Sequence, residues 1–255
     1  LAGRDLMAIA QTGSGKTGAF LLPILQRLSQ NKSKQNQNPS VLILAPTREL
    51  AIQLHKNAEI FSEAVARSAC LLVGGLSVLT QKEALTLKPE IVVATPGRLL
   101  DHLRRNHLNF SAIQYLVLDE ADRMLDMGFL PDIKNILTRC SEPRQSLLFS
   151  ATLSDEIHLL AQKLLKRPIL IEVNANRDAG SIEQKVFRVP ERKKPTFLRD
   201  LIVDNSLNQV LVFTRQKESA AKLASHLKED GFKVEALHGD KTQARRTKIL
   251  EAFKN

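Results

Sequence analysis

The stretch Ala10-Gln11-Thr12-Gly13-Ser14-Gly15-Lys16-Thr17 follows the apolar run Leu6–Ile9 and opens a segment with helical periodicity. Its small residues let successive backbone N–H groups turn inward on a chain of phosphates. Lys16 would reach the β and γ oxygens, and the Thr17 hydroxyl would bind Mg²⁺. The general pattern begins with Gly, where this chain has Ala10. We predict that all eight residues form a triphosphate-binding loop.

A second pattern overlaps the loop. Gly13-x-Gly15-x-x-Gly18 matches the dinucleotide-binding fingerprint, which also needs an acidic residue about 20 residues further on to bind a ribose. The region around position 38 contains Ser, Lys, Gln and Asn instead. The triphosphate interpretation is therefore favoured over the dinucleotide one.

A triphosphate site also needs a carboxylate at the end of a neighbouring strand. The segment Tyr115-Leu-Val-Leu-Asp119-Glu120-Ala-Asp122 supplies acids directly after an apolar run. Asp119 could hold Mg²⁺, and Glu120 could polarise the attacking water. Adjacent acids after a strand are usually only a solvated strand end, but the loop at Lys16 favours a catalytic role here.

The rest of the chain alternates short buried runs with helical segments, which predicts an α/β fold with a doubly wound parallel sheet. Residues 49–61, 155–165 and 218–227 have helical periodicity, and the polar residues 29–40 predict a surface loop. The predicted strands are Val41-Leu-Ile-Leu-Ala45, Ile91-Val-Val-Ala94, Tyr115-Leu-Val-Leu118, Leu147-Leu-Phe149, Ile169-Leu-Ile171 and Val210-Leu-Val-Phe213.

The chain also divides into two parts. Residues 1–173 predict a first domain, the polar and turn-rich residues 174–183 a linker, and residues 184–255 the beginning of a second domain. A weak internal repeat supports a duplication, because Val41 to Arg48 and Val210 to Arg215 are each a predicted strand that runs into Thr-Arg and then a helix.

Composition limits the class of partner. The 255 residues carry a formal net charge of +10, which suggests a polyanion. With no Trp, one Tyr and ten Phe, the sequence offers no evident platform for stacking bases, which favours contacts to a phosphate backbone. Cys70 and Cys140 predict small core residues rather than a disulfide or zinc site. No membrane span is expected, and we expect a cytoplasmic protein.

Several motifs have simple structural interpretations. Thr47, Thr95 and Thr152 all precede predicted helices, where each would serve as an N-cap, and Thr152-x-x-Asp155 reads as a capping box. Pro96 suits the first position of a helix. A helix N-terminus followed by an arginine is also a phosphate site, so that capping and binding need not compete.

Taken in order, the motifs resemble the series found in DEAD-box RNA helicases. Two further segments, Arg123-Met-Leu-Asp-Met-Gly-Phe129 and Arg144-Gln-Ser-Leu-Leu-Phe-Ser150, resemble a bacterial, RhlE-like branch. The series comprises Gln11–Thr17, Pro46-Thr-Arg-Glu-Leu-Ala51, Gly74-Gly75, Thr95-Pro-Gly-Arg98, Asp119-Glu-Ala-Asp122, Ser150-Ala-Thr152, Phe213, His238-Gly-Asp240 and Gln243-x-x-Arg246.

The resemblance implies two RecA-like domains that close on ATP, Mg²⁺ and RNA, with the second domain truncated. It implies catalytic roles for Lys16, Asp119 and Glu120, and a role for Ser150 and Thr152 in coupling hydrolysis to domain movement. It assigns RNA contacts to Pro46, Thr47, Arg48, Gly75, Thr95, Pro96, Gly97, Arg98, Gln243 and Arg246.

We therefore expect an ATP-dependent RNA helicase core that unwinds short duplexes or remodels ribonucleoprotein, with ribosome-assembly or RNA-degradation proteins as partners. An ATP-dependent RNA clamp would share every motif, and only strand separation would distinguish it. Another P-loop ATPase would lack the Thr95-Pro-Gly-Arg98 motif. The adenine-reading motif and the arginine fingers are expected outside these 255 residues, so that the segment alone should unwind little RNA.

Overall fold

The computed structural model describes residues 2–11, 13–30, 38–173 and 183–254. The chain forms two compact units, residues 1–178 and residues 179–255. The predicted linker, residues 174–183, lies outside the described residues except for Glu183.

In the first unit, the described residues form a parallel sheet of seven strands in the order β3-β4-β2-β5-β6-β1-β7. The helices of this unit connect successive strands. The strands are β1 Leu6–Ile9, β2 Val41–Leu44, β3 Ala69–Leu72, β4 Ile91–Ala94, β5 Tyr115–Leu118, β6 Gln145–Ser150 and β7 Ile169–Glu172. The helices are α1 Lys16–Gln30, α2 Arg48–Glu63, α3 Val78–Thr86, α4 Pro96–Arg104, α5 Ala121–Asp126, α6 Leu130–Leu137 and α7 Asp155–Leu164.

Strands β2, β4 and β5 are apolar and buried at every position because helices cover both faces of the sheet. On β2, Leu42 and Leu44 join one hydrophobic cluster, whereas Val41 and Ile43 join the other. Helices α4 to α7 pack into the first cluster, and α1 and α2 pack into the second. The sheet is therefore held from both sides, and the carboxyl ends of its strands share one edge.

Most of the predicted elements of the first unit are confirmed, and the α/β class with a parallel sheet is correct. The apolar run Leu6–Ile9, for which no strand was predicted, is strand β1. Strand β3 was missed, although its residues Ala69-Cys-Leu-Leu72 are all apolar, because they include none of the β-branched or aromatic residues that are typical of strands. Cys70 is buried, Cys140 is half-buried, and both are free thiols.

The second unit contains a 3₁₀ turn at Glu191–Lys193 and helices α8 Lys194–Asp204, α9 Lys217–Glu229 and α10 Gln243–Lys254. The helix predicted over residues 218–227 is confirmed as α9. The strand predicted at Val210 to Phe213 is wrong, because no strand occurs among residues 183–254. A strand needs a hydrogen-bonded neighbour, and here Phe213 is 86% exposed.

No helix in the described part of the chain is long and apolar enough to cross a membrane.

Candidate functional site

The predicted triphosphate-binding loop, which we call the phosphate loop, joins β1 to α1 and adopts a conformation that its glycines permit. Gly13 has φ +83° and Gly15 has φ +85°, in the left-handed region that favours glycine. No atom lies within 4 Å of the position that a Cβ would take at either residue, so that the loop borders open space. The Ala10 N–H donates to the Ser150 carbonyl, 2.9 Å away, which fixes the loop against β6. Thr12 lies outside the described residues.

Lys16, the first residue of α1, spans the loop. Its Nζ donates to the Ala10 carbonyl at 3.0 Å and lies 3.8 Å from Asp119 Oδ1. The ammonium group is therefore held between the loop and the acid at the end of β5. Thr17 follows in the first turn of the helix, and Gln11 and Ser14 lie in the loop, where the Ser14 N–H donates to the Gln11 carbonyl at 3.4 Å.

Asp119 follows β5 and is 3% exposed. Burial raises the pKa of its carboxyl group, while the nearby Lys16 ammonium acts in the opposite direction. The backbone N–H of Glu120 donates to Asp119 Oδ1 at 3.0 Å. Asp119 is thus a poorly solvated carboxyl group, and a cation bound next to it would stabilise its ionised form. A ligand of Mg²⁺ has this property.

Glu120 turns the chain from β5 into α5. It has φ 53° and ψ 53°, a left-handed conformation that costs a non-glycine residue about 1–2 kcal/mol. Its carboxylate lies 3.4 Å from the Arg123 guanidinium. Strain of this kind persists where the surrounding structure fixes it, and it is common at active sites.

Asp122 links the acids after β5 to the Ser-Ala-Thr motif after β6. Its Oδ2 accepts hydrogen bonds from Ala151 N at 3.1 Å, Thr152 N at 3.0 Å and Thr152 Oγ1 at 3.1 Å. The Ser150 hydroxyl donates to the Thr152 carbonyl at 2.8 Å. Asp122 belongs to a predicted motif, but no role was predicted for it. Its signal was an acid three residues after Asp119, on the first turn of a helix.

The structure corrects one helix cap and confirms another. Thr152 does not cap α7, so the predicted capping box is wrong, because α7 begins later and Ser154 accepts the bond from Ile157 N. Thr47 does cap α2, accepting from Leu50 N at 3.2 Å. Thr95 occupies the N-cap position of α4 without a side-chain bond, and Pro96 is the first residue of that helix.

In the first unit, the residues assigned to nucleic acid follow β2, β3 and β4, which are neighbours in the sheet. Pro46, Thr47 and Arg48 follow β2, Gly75 follows β3, and Thr95, Pro96, Gly97 and Arg98 follow β4. The residues assigned to the nucleotide follow β5, β6 and β1, which are also neighbours. One edge of the sheet is thus divided into two halves, which meet between β2 and β5.

Residues 73–76, between β3 and α3, bring the first of these halves together; we call them the β3 loop. The Arg48 guanidinium packs on Gly74, with Nη2 3.1 Å from the position of a Cβ there. Arg98 Nη1 donates to the Leu76 carbonyl at 2.9 Å. Gly75, with φ +79°, lies between these two contacts. Arg48, Gly75 and Arg98 therefore belong to one surface.

Gln243 and Arg246 lie on the first turn of α10, three positions apart on one helical face, as predicted. Gln243 is buried, and its carbonyl accepts from the Thr247 hydroxyl at 3.1 Å. Their assignment to RNA stays a prediction.

Family comparisons agree with this geometry. Residues 1–160 match the DEAD/DEAH box helicase model, and residues 193–255 match the helicase conserved C-terminal domain. The chain belongs to the DEAD/DEAH box helicase family. Its match to a DEAD box protein from the hyperthermophile Methanococcus jannaschii has a TM-score of 0.62 and 38% identity, covering 98% of this chain and 66% of the other. That likeness supports the RecA-like assignment of the fold.

Relatives of this chain occur in animals and plants. The chain is 42% identical over its whole length to proteins named probable ATP-dependent RNA helicase DDX27 from Bos taurus and Homo sapiens. It is 43% identical to DEAD-box ATP-dependent RNA helicase 30 from Arabidopsis thaliana. The chain spans 34% of the length of the first two proteins and 44% of the third.

Two histidines, five positions apart in the sequence, meet at the end of α4. His102 Nδ1 and His107 Nδ1 are 3.0 Å apart, because Asn106, with φ 55°, turns the chain back at the end of α4. Burial, and then the charge of His107, lowers the pKa of His102 to about 4. Within the described ranges, no group of three or more His, Cys, Asp or Glu residues could hold a metal ion.

The burial of Asp119 has a measurable consequence for stability. A carboxyl pKa that is higher in the folded than in the unfolded chain means that the free energy of unfolding falls as pH rises from the unfolded pKa, about 4, to the folded one. Asp119→Asn removes this ionisation and is expected to raise the free energy of unfolding at neutral pH by on the order of 1 kcal/mol.

Urea unfolding of the wild type and Asp119→Asn between pH 4 and pH 8 measures this effect. The gain should grow with pH, and Asp126→Asn, an exposed position on α5, is the control. A gain that shrinks as pH rises would show that the Asp119 carboxylate is stabilised by the fold.

Proposed function

We propose that this chain is the core of an ATP-dependent RNA helicase, which couples ATP hydrolysis to local unwinding of RNA duplexes or to remodelling of ribonucleoprotein. The observation that carries the proposal is the divided edge of the sheet. One half, after β1, β5 and β6, has the chemistry of a triphosphate site, and the adjoining half, after β2, β3 and β4, has that of a phosphate-backbone site.

The nucleotide half has the groups that ATP requires. The loop with Gly13 and Gly15 borders open space, and Lys16 is held where it can reach a phosphate. Oxygen ligands suit Mg²⁺, and we propose that the Thr17 hydroxyl and the Asp119 carboxylate would hold it. The bound ion would offset negative charge on the β- and γ-phosphates.

Glu120 is the proposed general base for hydrolysis. It follows Asp119 directly, and its side chain is 14% exposed, so that its carboxylate has access to water without being fully solvated. It would orient the attacking water and accept a proton from it. Asp122 would then carry changes at these acids to Ser150 and Thr152, because it bonds the motif after β6 directly.

The RNA half offers charge and helix N-termini rather than a base-reading surface. Arg48 and Arg98 lie at the starts of α2 and α4, where backbone N–H groups and the helix dipole also favour a phosphate. Contacts of this kind are independent of sequence and sensitive to salt. Discrimination of RNA from DNA would then come from 2′-hydroxyl groups or strand shape.

The full-length protein provides the test. Single-stranded RNA is expected to stimulate its ATPase activity by about tenfold or more, and DNA of the same sequence to stimulate it much less. A short RNA duplex should be separated only when ATP is supplied. Stimulation by DNA alone, or by neither, would contradict an RNA helicase, whereas RNA stimulation without strand separation would identify an RNA clamp.

Several narrower assignments stay predictions. The domain limits 1–173 and 184–255 rest on the polar, turn-rich residues between them, and the cytoplasmic location rests on the lack of a predicted membrane span. The RNA contacts of Gln243 and Arg246 and the ribosome-assembly or RNA-degradation partners rest on sequence resemblance. A bacterial, RhlE-like branch rests on two short segments, and the animal and plant relatives named above give it no support.

A further inference from the structure

The β3 loop is where three proposed RNA contacts meet, and nothing in the function proposed above explains what fixes it. Gly75 lies in the loop, the Arg48 guanidinium packs on Gly74, and Arg98 donates to the Leu76 carbonyl. Arg98 can keep that bond only while the loop presents the carbonyl to it. The position of both arginines therefore depends on the backbone of residues 73–76.

A side chain from α3 holds this backbone at two points. Gln81 Nε2 donates to the Val73 carbonyl at 3.0 Å, and Gln81 Oε1 accepts from the Val73 N–H at 3.2 Å. Gln81 is 5% exposed, and Val73 is fully buried. The buried Gln81 amide pairs with both the backbone N–H and the backbone carbonyl of Val73. This contact is specific, because no water can replace Gln81 as a hydrogen-bond partner at a buried position.

The place of this contact in the sheet explains why it is needed. Strand β3 is an edge strand, and the Leu72 carbonyl accepts from Thr95 N on the β4 side. Because consecutive residues of a strand point their polar groups to opposite sides, those of Val73 point to the open edge. Gln81 supplies there the donor and acceptor that a further strand would supply.

Helix α3 has few other attachments to the unit. The structure describes every residue of α3, and among them only Gln81 and Leu85 are buried. Ser77 caps the helix and accepts from Thr80 N, so that the β3 loop runs into α3 without a break. The amide of Gln81 is thus the polar link that ties loop and helix into one piece.

We infer that Gln81 is a positioning residue for RNA binding. It fixes the β3 loop so that Arg48 and Arg98 are placed before RNA arrives, and it touches neither RNA nor ATP. The inference rests on the proposed function, in which those two arginines bind the RNA backbone. Loss of the two bonds would leave the loop to be ordered during binding, which weakens RNA affinity and leaves the chemistry of ATP unaffected.

The test uses Gln81→Met in the full-length protein, because methionine keeps the length of the side chain and loses both hydrogen bonds. Fluorescence anisotropy with a single-stranded RNA and a non-hydrolysable ATP analogue measures affinity, and ATPase assays over a range of RNA concentrations separate KM from kcat. We expect the Kd and the KM for RNA to rise about tenfold, the equivalent of one to two net hydrogen bonds. The kcat at saturating RNA and the ATP affinity without RNA should be unchanged.

Control variants separate the possible causes. Gln53→Met replaces an exposed glutamine on α2 and should leave every parameter unchanged. Gly74→Ala places a Cβ 3.1 Å from Arg48 Nη2. This variant disturbs the contact between the β3 loop and Arg48 while Gln81 is unchanged, and it should also raise the KM for RNA. Arg48→Ala and Arg98→Ala report whether the arginines bind RNA at all.

The outcomes are distinguishable. If Gln81→Met leaves RNA affinity unchanged while Arg48→Ala and Arg98→Ala weaken it, the positioning role is wrong and the proposed function stands. If Gln81→Met lowers kcat and ATP affinity along with RNA affinity, the residue is a general structural one and the inference fails. If the two arginine variants also bind RNA normally, the proposed RNA surface itself is wrong.

Discussion

Glu120→Gln in the full-length protein is expected to lower ATP turnover by about 10²–10⁴-fold while ATP binding stays close to that of the wild type. The amide has the size of the carboxylate but cannot accept a proton from the attacking water. The hydrogen bonds of Asp119 and Lys16 use the Glu120 backbone N–H and the Ala10 carbonyl, and the substitution keeps both groups. Single-turnover hydrolysis and nucleotide binding, measured separately, distinguish chemistry from affinity.

Glu156→Gln is the matched control for this change. Glu156 is an exposed acid in the first turn of α7, and its amide variant should hydrolyse ATP at the wild-type rate. If Glu120→Gln turned over ATP normally, the general base would have to be another group. If it instead lost ATP binding, Glu120 would contribute to nucleotide affinity rather than to proton transfer.

Asp122→Ala is expected to lower the rate of RNA strand separation by about 10²-fold, and RNA-stimulated ATPase activity much less. The variant removes the acceptor of three hydrogen bonds, two from backbone N–H groups of the Ser-Ala-Thr segment and one from the Thr152 hydroxyl. Bonds to a charged acceptor are among the stronger ones, and their loss frees this segment from the acids after β5.

The measurement compares strand separation per ATP hydrolysed in Asp122→Ala, Asp122→Asn and the wild type. Asn keeps an acceptor oxygen and should fall between the other two. Asp126→Ala, on the exposed side of the same helix, is the control. Equal losses of ATPase and unwinding in Asp122→Ala would mean that Asp122 supports catalysis itself, and no loss would mean that the link is not used.

Much of the fold and of the nucleotide site follows from sequence because both rest on local patterns. Strands β2, β4 and β5 are apolar at every position, since helices cover both faces of the sheet, and a loop that binds phosphates needs glycines and a lysine at fixed spacing. Lys16 lies in the segment after one apolar run, and Asp119 and Glu120 follow another. This was enough to predict that the three residues meet at the carboxyl edge of the sheet.

The features that could not be predicted from sequence depend on contacts between residues that are far apart in the chain, or on whether a neighbouring strand is present. The polar clamp of Gln81 on Val73 joins a helix to an edge strand that itself escaped prediction, and an isolated glutamine in a helix gives no signal of burial. The three bonds of Asp122 reach residues about thirty positions later in the chain. The run Val210 to Phe213 has strand-like residues, but composition does not reveal whether a neighbouring strand is available to pair with it.

The division of the sheet edge also bears on how such a protein can be altered. The two halves meet between β2 and β5, and each half is built from loops that follow strands of its own. The loops after β2, β3 and β4 can therefore be exchanged as a set, provided that Gln81 travels with them, without changing a residue that faces the nucleotide. Nucleic-acid preference and ATP use can diversify separately on one unchanged sheet.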